Sequence, residues 1–200
     1  MSVVVGIGGS SGSGKSFLAR RIREHRPQHV VVLELDQYYR PAPELTLAQR
    51  ADRNYDAPSA LDFPLLREHV TALRRGESIE RPIYDFATHA RQPGGEVVSP
   101  RPVVVVEGVF ALYDVELRRG FHDSIFVDTP LHLCLERRLV RDPVERGRTP
   151  ASVRRQWSAT VEPGFRRFAL PTRAHATRVI DGSTEAFGWL PEWFEALPSR

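Results

Sequence analysis

The sequence predicts a three-layer α/β fold, in which a parallel sheet of about five strands is covered by helices on both faces. Short valine-rich runs, typical of strands buried on both faces, alternate with segments whose apolar residues recur every three or four positions. The 200 residues, 41% of them hydrophobic, are enough for one domain with a sizeable core. We therefore expect a single domain over residues 1–200.

The first predicted strand, residues 3–7, leads into a glycine-rich loop and a helix over residues 17–25. The loop has the pattern Gly, four residues, Gly-Lys-Ser, whose backbone N–H groups cradle phosphate oxygens at a helix N-terminus. Lys15, the only lysine in the chain, would reach the outer phosphates, and the Ser16 hydroxyl would bind Mg²⁺. The alternative is a flexible Ser/Gly loop. The predicted nucleotide-binding residues are Gly9, Ser10, Ser11, Gly12, Ser13, Gly14, Lys15 and Ser16.

Carboxylates follow two further predicted strands, residues 30–35 and 103–106. In open parallel sheets ligands bind beyond the carboxyl ends of the strands, which places Asp36 and Glu107 beside the loop. Asp36 can accept a proton from an attacking hydroxyl or help to hold Mg²⁺, and Glu107 lies where phosphate-loop proteins place a carboxylate near the metal. The alternatives are a turn or N-cap aspartate and a solvated glutamate.

The middle of the chain is predicted to contain a helix and an inserted β-hairpin. Residues 41–60 are polar and irregular, and a helix then runs from its Asp62 cap to the stop at Gly76. The hairpin spans about residues 79–98, with a turn expected at 93–95 (Pro-Gly-Gly). Its aromatic, histidine and arginine side chains would line a pocket for a flat ring. Composition alone favours the alternative, a small satellite core.

An arginine-rich segment follows a predicted strand over residues 124–128 and a helix that begins at Pro130. Five arginines lie within residues 137–148, around a Pro and a Gly, and predict a lid over about residues 137–150 that closes on phosphates. The alternatives are a solvated helix end and a nucleic-acid patch. A helix from Thr149 is expected to break at residues 162–163 (Glu-Pro), before a last strand at 177–181 and an amphipathic tail.

Composition favours a cytoplasmic protein without membrane segments. Cys134 is the only cysteine, which excludes an internal disulfide and fits a reducing compartment. No apolar run is long enough to span a membrane, and no basic residue precedes the first apolar stretch as in a signal peptide.

Taken in order, these motifs resemble the uridine kinase (uridine–cytidine kinase) family of phosphate-loop nucleoside kinases. Beside the loop, the likeness rests on residues 36–39 (Asp-Gln-Tyr-Tyr), 55–58 (Tyr-Asp-Ala-Pro), 82–91 (Pro-Ile-Tyr-Asp-Phe-Ala-Thr-His-Ala-Arg), Glu107-Gly108 and the lid. The chain departs from the family pattern at Ala57, where the family usually has His, at residues 59–61, and at Pro143 in the lid.

The resemblance implies a role for each matched residue. Asp36 would be the base that activates the nucleoside 5′-hydroxyl, and Asp56 with Arg138 would hold the ribose hydroxyls. Lys15, Arg141 and Arg146 would act on the donor phosphates. The implied metal residues are Ser16, Asp36 and Glu107. The implied pyrimidine pocket is formed by Tyr39, Tyr84, His89, Arg148 and Gln156.

The implied reaction is phosphorylation of uridine, and of cytidine, by ATP or GTP with Mg²⁺ in pyrimidine salvage. Partners would be a nucleoside and a nucleoside triphosphate, without nucleic acid or membrane. The family often forms homotetramers, although the sequence identifies no assembly surface. The rival interpretations are a related kinase with another acceptor, similar to phosphoribulokinase or pantothenate kinase, and a nucleotide-dependent RNA-binding protein that uses the arginine run as its patch.

Overall fold

The predicted sheet is present in a computed structural model that describes residues 1–184 and 187–198. The strands are β1 Val3–Gly9, β2 Val30–Glu34, β3 Ile79–Asp85, β4 Ala90–Val98, β5 Val103–Glu107, β6 Asp123–Asp128 and β7 Arg178–Asp181. Five of them form one sheet in the order β2-β5-β1-β6-β7, and every neighbouring pair in it is parallel. The α/β prediction with a parallel five-stranded sheet is confirmed.

The helices cover both faces of this sheet. They are α1 Lys15–His25, α2 Leu47–Ala51, α3 Phe63–Arg75, α4 Val115–Arg119, α5 Leu131–Arg146, α6 Pro150–Gln156, α7 Glu162–Gly164 and α8 Leu190–Ala196. Successive residues of β5 point to opposite faces, so Val104 and Val106 join one core with α3, while Val103 and Val105 join the other with α1 and α8. This alternation produces the three layers.

The ends of α3 follow from its sequence. The Asp62 carboxylate accepts a hydrogen bond from the Leu65 N–H, and Gly76 ends the helix in the left-handed conformation with φ 84°. The polar stretch also contains the short helix α2, which the composition does not predict. Its N-cap is Thr46, whose side chain forms a capping box with that of Gln49. The spacing of three residues between Thr46 and Gln49 is the sequence signal for this helix start.

The inserted hairpin is formed by antiparallel β3 and β4, but its turn is not where the glycines predict it. The chain reverses at residues 86–89, where the Asp85 carboxylate accepts hydrogen bonds from the Ala87 N–H and the Thr88 hydroxyl, both at 2.8 Å. The expected turn at residues 93–95 is wrong, because these residues lie inside β4, where Gly95 pairs with Pro82 beside an irregularity in the register. The Asx-type turn at Asp85 is the stronger local signal.

The expected break at residues 162–163 is also wrong. The chain stays helical from Pro150 to His175, passing through π-helical turns at Trp157–Val161 and Phe165–Ala169 on either side of α7. Pro163 has no N–H to donate and its ring crowds the preceding turn, and the wider π-helical turns accommodate both effects without ending the helix.

Pro143 lies inside α5, which contains most of the arginine-rich segment and ends before Gly147, a residue with φ 62°. The apolar side of the amphipathic tail packs on the α1 face of the sheet, where Leu190 and Trp193 of α8 are buried. In the described ranges, no helix has the length and apolar character needed to cross a membrane.

Candidate active site

The glycine-rich loop connects the carboxyl end of β1 to the start of α1, with the geometry of a phosphate cradle. Gly12 has φ 84°, and a Cβ atom there would lie 2.4 Å from the carbonyl oxygen of Cys134. Only glycine therefore fits at this turn. The Lys15 ammonium is buried and donates to the carbonyl oxygen of Ser10 at 2.8 Å, so that the lysine spans the loop.

Glu107, at the end of β5, faces the loop. Its Oε1 accepts a hydrogen bond from the Ser16 hydroxyl at 2.8 Å. Burial raises the pKa of Glu107 to about 7, although the nearby Lys15 charge opposes the shift. Burial also lowers the pKa of Lys15, an effect opposed by Glu107 and Asp36. The end of β5 thus places a buried carboxyl group close enough to the buried Lys15 ammonium for each to affect the pKa of the other.

Asp36 lies just after β2, at the same edge of the sheet. Its Oδ2 is 3.3 Å from Nη2 of Arg146, and its Oδ1 accepts from the Tyr39 hydroxyl at 3.4 Å. The guanidinium of Arg146 also sits over the Phe86 ring, 4.7 Å from its centroid. These contacts bring the β2 end, the arginine-rich helix α5 and the hairpin turn together over the loop.

One cavity of about 530 Å³ contains most of the residues predicted to act on phosphate. Its walls include Lys15, Ser16, Asp36, Glu107, Arg141 and Arg146. Among the described residues, no three His, Cys, Asp or Glu side chains converge as a preformed metal cage. The Ser16 hydroxyl with the carboxylates of Asp36 and Glu107 supplies oxygen donors only, which fits Mg²⁺ bound largely through phosphate oxygens and water.

A cluster of aromatic side chains, the aromatic cluster, adjoins Asp36. The Tyr39 ring lies 5.1 Å from that of Tyr84 and 5.0 Å from that of Tyr55, centroid to centroid, and Tyr55 stacks on His89 at 5.4 Å with 21° between the planes. Burial raises the pKa of Tyr39 and Tyr84, so both remain phenols. His89 adopts φ 51°, and burial followed by the Arg148 charge lowers its pKa. These faces and hydroxyls suit a flat polar ring.

Asp56 is held by the helical segment that contains Thr160 and Gly164. Its Oδ2 accepts from the Thr160 hydroxyl at 2.7 Å. Burial raises the pKa of Asp56, and the Thr160 hydrogen bond opposes that shift. Gly164 lies against the Asp56 backbone, since a Cβ on Gly164 would be 2.1 Å from the Asp56 carbonyl oxygen. The continuous helix through Pro163 is what brings Thr160 and Gly164 to this place.

We expect Gly164→Ala to destabilise the protein by about 1–3 kcal/mol, because the clash is with backbone that cannot move aside. Alanine favours a helix by about 1 kcal/mol over glycine, which offsets only part of this cost. Thermal unfolding should shift down by about 2–4 °C per kcal/mol, and displacement of Asp56 should raise KM for the phosphoryl acceptor.

Gly188→Ala is the matched control for this substitution, since a Cβ at Gly188 meets no described heavy atom within 4 Å. Equal unfolding temperatures for the two variants would contradict the close approach of Gly164 to Asp56.

The arginines of α5 and the loop after it bond to protein groups. Arg138 donates from Nη2 to Asp142 Oδ2 at 2.9 Å and to Gln156 Oε1 at 2.8 Å. Arg148 also donates to Gln156 Oε1. Arg137 donates to the carbonyl oxygen of Gly182 at 2.9 Å. The arginine-rich segment therefore folds onto the site.

The structure thus places the predicted residues in two adjoining groups. The loop, Asp36, Glu107, Arg141 and Arg146 form the phosphate side. The other group contains the aromatic cluster with Asp56, and Arg138 and Arg148, which share Gln156. In the part of the chain that the structure describes, Arg138 bonds to Asp142 and Gln156 rather than to Asp56, its predicted companion on the ribose.

Sequence reasoning gave no role to four residues that shape this site. Asp142 pairs with Arg138, four residues earlier in α5. Because residues four apart lie on the same face of a helix, this pair could have been predicted from the sequence. Nothing in the local sequence marks the others, because their contacts cross long stretches of chain. They are Tyr55, Thr160 and Gly164.

The chain is similar over most of its length to known proteins. Residues 4–185 match the model of the Phosphoribulokinase / Uridine kinase family. The uridine kinase of Escherichia coli strain K12 is 43% identical over 183 residues, which cover 89% of this chain and 86% of that protein.

Two solved structures share the fold at low sequence identity. D-glycerate 3-kinase from Cryptococcus neoformans superposes with a TM-score of 0.65 at 17% identity, covering 94% of this chain and 88% of that one. Phosphoribulokinase from Rhodobacter spheroides gives a TM-score of 0.57 at 18% identity, covering 92% and 73%. At these identities the likeness concerns the fold alone.

Proposed function

This chain belongs to the phosphoribulokinase / uridine kinase family, and we propose that it transfers the γ-phosphoryl group of ATP or GTP to the 5′-hydroxyl of uridine, and of cytidine, giving the monophosphate. The main support for the proposal is one contact between the two groups of residues. The hydroxyl of Tyr39, in the aromatic cluster, donates to Asp36, which lines the phosphate cavity. An acceptor whose ring lies among the tyrosines would therefore present its 5′-hydroxyl beside a carboxylate and the phosphate loop.

On the phosphate side, the residues position the donor and stabilise charge. The backbone of the loop and Lys15 would hold the donor phosphates, and Arg141 and Arg146 would balance the charge that spreads over the transferring group. Ser16, Asp36 and Glu107 would hold Mg²⁺, which when bound neutralises phosphate charge. Asp36 would accept the proton of the 5′-hydroxyl.

On the acceptor side, polar groups surround the aromatic faces. Asp56 and Arg138 would bind the ribose 2′- and 3′-hydroxyls, which favours ribonucleosides over deoxyribonucleosides. His89, Arg148 and Gln156 supply the donors and acceptors that a pyrimidine edge requires, with Tyr39 and Tyr84 against the ring. Closure of the arginine-rich lid over the substrates would keep water from the phosphoryl group.

Substrate-dependent ADP release with Mg-ATP tests the proposal. Uridine and cytidine should turn over, whereas adenosine, pantothenate and ribulose 5-phosphate should not. Turnover with ribulose 5-phosphate or pantothenate alone would show that the phosphoryl acceptor is not a nucleoside. Binding of RNA that weakens steeply with salt, without acceptor-dependent ADP release, would favour the RNA-binding interpretation. The contacts of the arginines with Asp142, Asp36 and Gly182 argue against that outcome.

Asp56→Asn should lower kcat/KM for uridine about 10- to 100-fold, because the substitution replaces one oxygen of the carboxyl group, which can accept from a ribose hydroxyl, with an amide N–H donor. The effect on 2′-deoxyuridine should be smaller, so the ratio of the two kcat/KM values falls. Asp52→Asn, at an exposed position nearby, is the control and should match wild type. An unchanged ratio in Asp56→Asn would remove Asp56 from the ribose site.

We further propose a single kinase domain that works in the cytoplasm as a homotetramer. The lone buried Cys134 and the nucleotide substrates support the location. The tetramer rests on the family resemblance, and light scattering coupled to size-exclusion chromatography measures it directly.

A further inference from the structure

The carboxylate of Asp142 lies fully buried in α5 between three arginines. Its Oδ1 accepts from Arg141 at 2.7 Å and 2.9 Å, through Nη2 and Nε. Its Oδ2 accepts from Arg138 at 2.9 Å and 3.3 Å and is 3.4 Å from Nη1 of Arg148. Arg138 and Arg141 each donate two N–H groups to one carboxylate oxygen, which restrains the orientation of both guanidinium groups as well as their positions.

The same residue also holds Arg148 through the backbone. The carbonyl oxygen of Asp142 accepts from the Arg148 N–H at 3.2 Å, and the Gly147 N–H bonds to it as the helix ends. Gln156 completes the arrangement, since its side-chain oxygen accepts from Arg138 and Arg148 together. The end of α5 and the start of α6 are joined at this point.

Electrostatics keep this carboxylate ionised. Burial alone would raise the pKa of Asp142, but the charges and hydrogen bonds of Arg138 and Arg141 outweigh it, and the net pKa lies below the ordinary value. One negative charge thus stands among three positive ones, so the cluster keeps an excess of positive charge beside the phosphate cavity.

We propose that Asp142 is a positioning residue that fixes the contacts to both substrates through these three arginines. The inference rests on the function proposed above, in which Arg138 binds the ribose, Arg148 the base and Arg141 the donor phosphates. Asp142 itself has no exposed surface, so it acts only through them. Because the three guanidinium groups share one anchor, loss of that anchor disturbs the donor site and the acceptor site together.

Asp142→Asn tests this inference, because the amide keeps the volume and removes the charge. We expect kcat/KM to fall about 10- to 100-fold for uridine and for ATP, with KM raised for both. The preference for uridine over 2′-deoxyuridine should fall about tenfold as Arg138 loses its orientation. Glu136→Gln removes an exposed carboxylate from the same helix and should leave all of these values unchanged.

A residue that only balances buried charge would lower stability without changing selectivity. Asp142→Glu separates the two roles, since it keeps the charge and moves the carboxylate by one methylene. We expect the loss of ribose selectivity to persist in Asp142→Glu. Wild-type selectivity and KM values in either folded variant would overturn the inference.

Failure of the proposed function can be distinguished from failure of this inference. If the wild-type protein phosphorylates neither uridine nor cytidine, the proposed function is wrong. Calorimetric binding of the non-hydrolysable analogue AMPPNP then decides the role of Asp142 at the donor site. Affinity about tenfold weaker in Asp142→Asn would support the inference, and equal affinity would overturn it.

Discussion

Replacement of Asp36 by asparagine should lower kcat for uridine phosphorylation about 10³-fold, with little change in KM for uridine. The amide has nearly the same shape and cannot accept the proton of the 5′-hydroxyl. It also loses the ion pair with Arg146 at 3.3 Å, so an arginine proposed to stabilise the transferring group loses its anchor. Initial rates of ADP release at saturating Mg-ATP measure the effect.

Asp52→Asn again serves as the control, because it makes the same chemical change at an exposed residue. Thermal unfolding of both variants should resemble that of wild type, since Asp36 is only partly buried. If Asp36→Asn kept more than about a tenth of the wild-type kcat, proton acceptance by Asp36 would be excluded.

Lys15→Met should lower kcat about 10²- to 10³-fold and weaken binding of ATP, because it removes a charge that the loop holds where the outer phosphates would lie. Methionine keeps an unbranched side chain, one atom shorter, but loses the hydrogen bond to the Ser10 carbonyl. The substitution also removes a positive charge that lowers the pKa of Glu107, so this pKa should rise further above its ordinary value.

Two further variants define the role of Lys15. Lys15→Arg keeps the charge, yet a forked guanidinium does not fit where a compact ammonium spans the loop, so we expect most of the loss to remain. Arg21→Gln removes an exposed charge from the same helix and should behave as wild type. Full activity of Lys15→Met would show that the Lys15 charge does not act on the donor phosphates.

The sheet could be predicted because its determinants are local. Each valine-rich run carries its own signal of burial on both faces, and the loop pattern fixes what joins β1 to α1. Helix α3 was equally readable, since the Asp62 cap and the Gly76 stop lie next to the elements that they end. Strand order is less local, but parallel connections leave few alternatives.

The two errors have different causes. Pro163 predicts a helix end, yet the helix continues and packs Gly164 on the Asp56 backbone, more than a hundred residues earlier in the chain, so local sequence does not contain this contact. The glycines at 94 and 95 predict a turn, but the Asp85 side chain closes the hairpin at residues 86–89, so one local signal outweighs another there.

The predicted site residues came largely from the family resemblance, which lists residues without their partners. It could not say that Thr160 orients Asp56, or that Asp142 joins Arg138, Arg141 and Arg148. Ala57, where the family usually has histidine, need not disturb Asp56, because the contacts that hold Asp56 come from Thr160 and Gly164.

A lone lysine in the phosphate loop makes this protein selectively addressable by acylation. Reagents such as N-hydroxysuccinimide esters react with neutral amines, and here the α-amine and Lys15 are the only primary amines. Burial lowers the pKa of Lys15, which increases its neutral fraction, while the same burial restricts access. Nucleotide bound in the loop should shield it, so side-chain acylation would report directly on donor occupancy. Acetylation of lysine side chains in this protein would have Lys15, in the proposed donor site, as its sole target.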